Sequence, residues 1–283
     1  MLCVRVPSPK KEGSKLSVTL ESSPVQFSSL GGLALFDEMI AATRLRDAVT
    51  GDLPKSRARP LASAFQKFRA LLFGFVAGAD CLDDMDKLAE DEGFAAVAKS
   101  LSDSTTYGNF LRSFDLPMVR RLNSGLSDLA FKIRSKVAPD DDFVLDLDST
   151  KHEQSAKKME GLGYAEGQYW GLTSLQAFDQ FGLQYWMDVR EGTAFTANGA
   201  SLAITQIFRK VPRGTSRFLR ADAGYCNADV FNACHTSNVK FVTPMRWNML
   251  EPLISSVRHW HVNRRLRTKA GRLVEARTTL YRP

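Results

Sequence analysis

The sequence predicts an α/β protein in which a mainly α-helical N-terminal region precedes a mixed β-sheet, and three observations carry that prediction. Before Pro139, apolar residues recur three or four positions apart, the spacing of one helix face. After it, they gather in short runs of Val, Phe, Tyr and Trp separated by Gly, Asn and Asp, the texture of strands and turns. The chain is also 283 residues long, and single cores stop growing near ~250–300 residues, so one large or two modest domains fit. The expected division is a helical region over 1–138 and a sheet domain over 139–283.

In the first region, Leu35, Met39 and Leu45 predict an early helix, and Pro54 and Pro60 bracket a basic loop. Leu61, Phe65, Phe68, Leu72 and Phe75 fall on one helical stripe, as do Leu122, Leu126, Leu129 and Ile133. Ser104 or Thr105 is placed to cap a further helix that stops before Pro117. In the second region strands are expected over 143–148, 173–178 and 183–189, the last two joined around Asp179, Gln180, Phe181 and Gly182. A helix over 201–210 follows Asn198 and Gly199; then come a strand over 217–221, a helix over 229–236 and a strand over 239–243. Three strands, helix, strand, helix, strand is a sheet that starts as an antiparallel meander, and it is the skeleton of a ribonuclease-H-like fold.

Composition excludes several classes. At 44% apolar and 24% charged residues the chain is ordinary globular protein. No apolar run approaches the ~20 residues that cross a bilayer, so no membrane partner is expected; the longest candidate, around 71–76, is broken by Gly74. The N-terminus is basic but leads into polar residues without an apolar signal core, which predicts a cytoplasmic protein. Four cysteines are too sparse for a disulfide scaffold.

Charge is more informative by position than by total. Lys and Arg number 38 against 31 Asp and Glu, a net +7. Eight of the basic residues (Arg258, Arg264, Arg265, Arg267, Lys269, Arg272, Arg277 and Arg282) lie beyond Glu251, with only Glu251 and Glu275 against them. Arg209, Lys210, Arg213, Arg217 and Arg220 form a second basic group, whereas 80–92 is strongly acidic. Such polarity favours a polyanionic partner, because each phosphate neutralised releases counterions.

Strand side chains alternate faces, so Asp146 and Asp148 should project together, opposite Phe143, Leu145 and Leu147. Asp222 directly follows the strand expected over 217–221. Carboxylates at the ends of adjacent strands can converge on Mg²⁺, which takes one or two such ligands plus phosphate oxygens; the same aspartates also suit plain turn caps. Cys226, Cys234 and His235 do not have zinc spacing and read as a helix face. His152 could approach a metal or a phosphate, or be a loop histidine without a catalytic role. Trp170, Tyr185 and Trp186 could stack on bases or pack in the core. Gly161 and Gly163 lack a phosphate-loop context, and Ser149 and Thr150 have no visible base partner.

Four segments carry a resemblance: Asp148-Ser149-Thr150-Lys151-His152-Glu153-Gln154, Lys158 to Tyr164, Ser174 to Gly182, and Arg220-Ala221-Asp222-Ala223-Gly224-Tyr225-Cys226-Asn227. In this order the chain, from Gly31 onward, resembles the bacterial insertion-sequence DDE transposases. The resemblance implies that the D-x-T Asp148 is the first catalytic and metal-binding acid and the D-x-G-[YF] Asp222 the second. It further implies two-metal Mg²⁺ chemistry, double-stranded DNA as partner at transposon ends and target, a homodimer as one candidate assembly, and a bacterial nucleoid location. Members carry a third acid, a Glu on a helix beyond a strand-rich insertion. Glu275 reads as a strand residue, and Glu251 precedes the insertion's expected place, so neither supplies it. The expectation is a C-terminally truncated transposase, weakly active or inactive alone; a non-catalytic DNA-binding remnant and another ribonuclease-H-like metal-dependent nuclease are the alternatives.

Overall fold

The computed structural model describes residues 2–5, 19–22, 28–55, 61–156, 158–165, 169–245, 247–256, 261–267 and 273–276. Two compact units divide the chain, Met1–Leu129 and Ala130–Pro283.

The first unit opens with an antiparallel pair, β1 (Leu2–Arg5) and β2 (Thr19–Ser22). Its helices are α1 (Leu33–Thr43), α2 (Leu45–Val49), α3 (Ala64–Val76), α4 (Leu82–Ala89), α5 (Glu92–Ala98) and α6 (Ser104–Arg112), and α7 (Leu116–Val137) begins in it. Arg44 separates α1 from α2 in a left-handed conformation with φ 58°. α1 buries Leu33 and Ile40 and leaves Leu35 and Met39 at 57% and 52% exposure, so that part of the expected apolar set faces outward, whereas Leu45 is buried in α2. α3 is similarly rotated: it buries Ala70, Leu71, Phe73 and Gly74, while Phe75 is 69% exposed. Gly74 explains the rotation, because a Cβ there would lie 2.2 Å from the Met85 sulfur; α4 packs against the one residue of α3 that has no side chain.

The caps are assigned by contacts. Ser63 and Gln66 close a capping box at α3. Asp103, not Ser104 or Thr105, caps α6 by accepting the Thr106 N–H at 2.6 Å. Asp115 accepts the Met118 N–H at 2.7 Å at the start of α7, where Pro117 sits in the first turn and has no intrahelical bond to lose. In the acidic segment, Asp84 accepts the N–H groups of Asp80 and Cys81, so one of its charges serves the α4 terminus. The expected basic loop lies largely outside the described residues, which omit 56–60.

The second unit is built on β3 (Phe143–Glu153), β4 (Gly163–Ala165), β5 (Tyr169–Asp179), β6 (Gln184–Glu191), α8 (Ala200–Lys210), β7 (Arg217–Ala221), α9 (Ala228–Thr236) and β8 (Lys240–Val242). β3 pairs antiparallel with β5 and β5 with β6, whereas β7 and β8 join parallel on the other side of β3. β4 pairs residues 169–171 of β5, on the edge that β6 occupies further along. A meander followed by two parallel strands reached over helices is the ribonuclease-H-like arrangement.

Its core lies on one face. Phe143, Leu145 and Leu147 from β3, Leu175 and Ala177 from β5 and Leu219 from β7 pack against Ala203, Ile204, Ile207 and Phe208 of α8 and Val230 of α9. Full burial contributes about 1.5–3 kcal/mol for each large side chain. The chain continues as α10 (Trp247–Ser256) and an antiparallel pair, β9 (His261–Arg267) and β10 (Leu273–Ala276). Of the basic tail, Arg264, Arg265 and Arg267 belong to β9, and Arg258, Lys269, Arg272, Arg277 and Arg282 lie outside the described residues.

One boundary differs from expectation in a way that shapes the site. β3 does not stop at Asp148 but runs to Glu153, because β5 pairs with it as far as Glu153 opposite Gly171. β7 pairs with it only from Phe143 to Leu147.

Candidate metal centre

Because β3 alternates, Phe143, Leu145 and Leu147 enter the core and Asp146, Asp148, Thr150 and His152 face the other way. The parallel register sets Asp146 opposite Arg220 and Leu147 opposite Ala221. Continued one residue further, the same register sets Asp148 and Asp222 at the ends of adjacent strands, where β7 leaves the sheet, with neighbouring strands ~4.8 Å apart. Asp222 is still extended, with φ −76° and ψ 180°, which keeps it on the Asp148 face. Both aspartates are exposed.

Each carboxylate is anchored by one oxygen. Asp148 Oδ1 accepts the Ser149 N–H at 2.7 Å, and Asp222 Oδ1 accepts the Gly224 N–H at 2.8 Å. The capping role anticipated for Asp222 is thus real, and it uses only Oδ1. The two Oδ2 atoms have no hydrogen bond among the described residues. Two solvent-facing hard oxygens on adjacent strands suit a divalent cation that completes its shell with water or phosphate. Gly224 is required here, since a Cβ would lie 2.9 Å from Asp222 Oδ1 and 2.8 Å from Thr196 Cγ2. The Thr243 hydroxyl donates to the Asp222 carbonyl at 2.7 Å and ties this turn to the end of β8.

A buried polar layer lies behind the pair. Tyr225 is fully buried, and its hydroxyl lies beside Ser149. Burial raises its pKa, Arg190 opposes that shift, and the negative charges of Asp148 and Asp222 add to it. Arg190 donates to Ser149 Oγ at 2.8 Å and to the carbonyls of Thr196 and Asn198 at 3.0 and 2.7 Å; burial lowers its pKa. Ser149 is therefore held by an arginine.

Asp146 is engaged differently. Arg220 grips it with two parallel hydrogen bonds, Nε to Oδ1 and Nη2 to Oδ2, both 2.6 Å. By charge alone Arg220 belongs to a basic cluster; the signal for the pair is the Asp146 to Arg220 register, which exists only once β7 is laid beside β3. Arg217 of the same cluster donates to the Val211 and Ser237 carbonyls, so this member serves the fold. Arg209 and Arg213 are exposed.

The other candidates separate from the pair. His152 is a strand residue bonded to Ser174 at 2.8 Å, in a row that Gln176 extends to Thr150. Tyr185 is buried against Asp179, Trp186 is half-buried, and exposed Trp170 leans on Tyr164 with ring centroids 5.6 Å apart. Cys226 and Cys234 are buried, while His235 is exposed. Gly161 turns at φ 77° and Gly163 abuts the Thr193 backbone, so both serve the packing of β4. Glu251 is exposed in α10, and Glu275 pairs with Val262 in β10. Among the described residues, no three His, Cys, Asp or Glu side chains form a cluster able to hold a metal.

No curated protein matches the chain in sequence. The family model for "Transposase DDE domain group 1" matches residues 10–281. Among solved structures, the piggyBac transposase synaptic complex with hairpin DNA is similar at 14% identity over 87% of this chain and 59% of that one, with a TM-score of 0.44. The Drosophila P element transposase strand transfer complex gives 13% identity, 78% and 49% coverage and a TM-score of 0.35. The Mos1 transposase paired-end complex with the left transposon end gives 9% identity, 71% and 72% coverage and a TM-score of 0.26. The chain spans about half of the P element chain (49%) and 59% of the piggyBac chain.

Proposed function

Because the chain belongs to the transposase DDE domain group 1 family, we propose that it acts on double-stranded DNA, cleaving at the ends of an insertion sequence and joining those ends to a target, with Asp148 and Asp222 as two of its catalytic, metal-binding acids. The observation that carries this reading is the pair of Oδ2 atoms on one sheet face that accept no hydrogen bond among the described residues.

Members of the family use divalent metal, and Mg²⁺, when bound, supplies Lewis-acid activation of the attacking oxygen and stabilises the leaving one. Asp148, rigid within a strand paired on one side along its length, holds its carboxylate at a fixed height on the sheet. Asp222, fixed by Gly224 and Thr243, presents the second from β7. Between them they place a strand's phosphorus where water or a 3′-hydroxyl adds as the bond to the 3′-oxygen breaks. The arginines of the second unit and its tail hold the duplex by phosphates, without reading bases. The helical region, 1–138, is assigned to DNA binding and to pairing of two copies. A bacterial cytoplasm at the nucleoid is the matching location; among the described residues no helix is long and apolar enough to cross a membrane.

A cleavage assay tests this reading, using supercoiled plasmid and element-end duplex in Mg²⁺ and in Mn²⁺. Nicking at the ends that Asp148→Ala abolishes supports it. DNA binding without nicking supports the second reading, a non-catalytic DNA-binding protein.

A further inference from the structure

We propose that Arg220, locked by Asp146, is a phosphate clamp beside the Asp148 and Asp222 pair, and that Asp146 is its positioning residue. The inference rests on the metal-centre reading above and adds a substrate contact to it.

Three features of the pair lead there. First, Asp146 and Arg220 are direct neighbours in the parallel register of β3 and β7, on the face that carries Asp148 and Asp222 two residues further along each strand. Two residues of strand are ~6.6 Å, within the span of a guanidinium and one phosphodiester. Second, the pair is bidentate, with both bonds at 2.6 Å. That contact uses Nε and one N–H of Nη2. A guanidinium carries five N–H donors, so three remain, and no acceptor among the described residues meets them. One from Nη1 and one from Nη2 form a second parallel edge, the geometry that matches two phosphate oxygens. Third, the pair is open to solvent, at 58% and 39% side-chain exposure. An ion pair so exposed adds little to stability, which leaves its tight geometry unexplained by folding.

The arrangement lowers the entropy lost on binding. A free arginine must be immobilised by the phosphate it binds; this one is already held by a carboxylate on the adjacent strand. Asp146 also offsets part of the arginine's positive charge, so the guanidinium does not compete with a cation for Asp148 and Asp222.

The test uses the full chain and a short fluorescent duplex, with affinity read by anisotropy in EDTA and again in Ca²⁺. Arg220→Gln is expected to weaken binding about tenfold in both conditions, as loss of a charge-assisted bidentate contact does. Arg220→Lys should weaken it nearly as much, because it keeps the charge and loses the fork. Asp146→Asn should cost about threefold by freeing the arginine, and the double variant should match Arg220→Gln, since both changes act on one contact. Binding unchanged in Arg220→Gln overturns the clamp, as does wild-type affinity in Arg220→Lys. Recovery of wild-type affinity in the double variant also overturns it, because Arg220 would then serve only to neutralise Asp146. Asp148→Asn separates this from the underlying reading: it should remove the gain in affinity that Ca²⁺ provides, read as the ratio of its own affinities in Ca²⁺ and in EDTA. If that gain persists, the metal centre falls while the Arg220 comparison still judges the clamp.

Discussion

The Arg134 guanidinium lies 3.9 Å from the Asp179 carboxylate, with the two side chains at 7% and 0% exposure. Neither depends on the other for hydrogen bonds. Arg134 donates to the carbonyls of Ala138, Asp141 and Asp142, and Asp179 accepts from the N–H groups of Phe181 and Leu183 and from the Tyr185 hydroxyl. The pair fastens the β5–β6 turn and the end of α7 at the base of the sheet. Asp179→Ala leaves the arginine buried without its counter-charge and orphans three donors, so it should destabilise the protein by about 3–5 kcal/mol. Urea unfolding of the variant measures this, and a loss under about 1 kcal/mol would refute it.

Alkaline pH should unfold the protein earlier than surface charge alone predicts. Burial pushes the Cys234 thiol from 9.0 up to about 12, and burial raises Tyr185, with Asp179 reinforcing the shift. The folded state favours the neutral forms, so this stability is complete below the unfolded thiol value and is lost as pH rises from about 9 toward about 12. The urea midpoint should fall across that window. At pH 8, thiol labelling should reach exposed Cys81 and spare Cys234.

Gly192→Ala should be among the most damaging single methyl additions in the second unit. A Cβ there would lie 2.0 Å from the Gly171 carbonyl oxygen and 2.6 Å from that of Gly163, both backbone atoms that cannot swing away. Overpacking of this kind costs about 1–3 kcal/mol. Thermal melting of Gly192→Ala against Gly214→Ala separates crowding from backbone strain, because Gly214 has open space around it and φ 92°.

Asp148→Asn and Asp222→Asn should each reduce Mg²⁺-dependent end nicking by at least about a hundredfold, since small misplacement at a reacting centre has that cost. Duplex affinity in EDTA should change little, and the melting temperature should hold or rise because two like charges side by side become one. Chelation of the metal should reproduce the loss of nicking in the unmodified protein. Equal nicking by Asp222→Asn would remove that residue from the site.

Duplex binding should weaken by orders of magnitude between ~50 and ~200 mM salt if several phosphates are contacted. A titration with random-sequence DNA reads the slope; a flat one excludes a backbone-gripping surface.

Much of the second unit was legible in the sequence. The strand over 217–221 matches β7, the helices over 201–210 and 229–236 lie within one residue of α8 and α9, and the order of elements led to the sheet. These features are local: alternation, turn residues and caps act within a few positions, so a single strand of text contains them. The alternation of 143–148 likewise put Asp146 and Asp148 on one face, and the position of Asp222 after its strand put it at a sheet end.

What the tertiary structure decided is everything that depends on a partner distant in sequence. β3 continues to Glu153 because β5 lies beside it, and His152, expected in a loop, became a strand residue for the same reason. The buried face of α3 was chosen by the fit of Gly74 against Met85, not by the count of phenylalanines. By strand alternation alone Asp146 and Asp148 look equivalent. They differ because the parallel register puts Arg220 opposite the first, while β7 ends before it can cover the second. Side-chain pairing across strands is set by register, and register is a property of two segments 74 residues apart; no window on either one contains it.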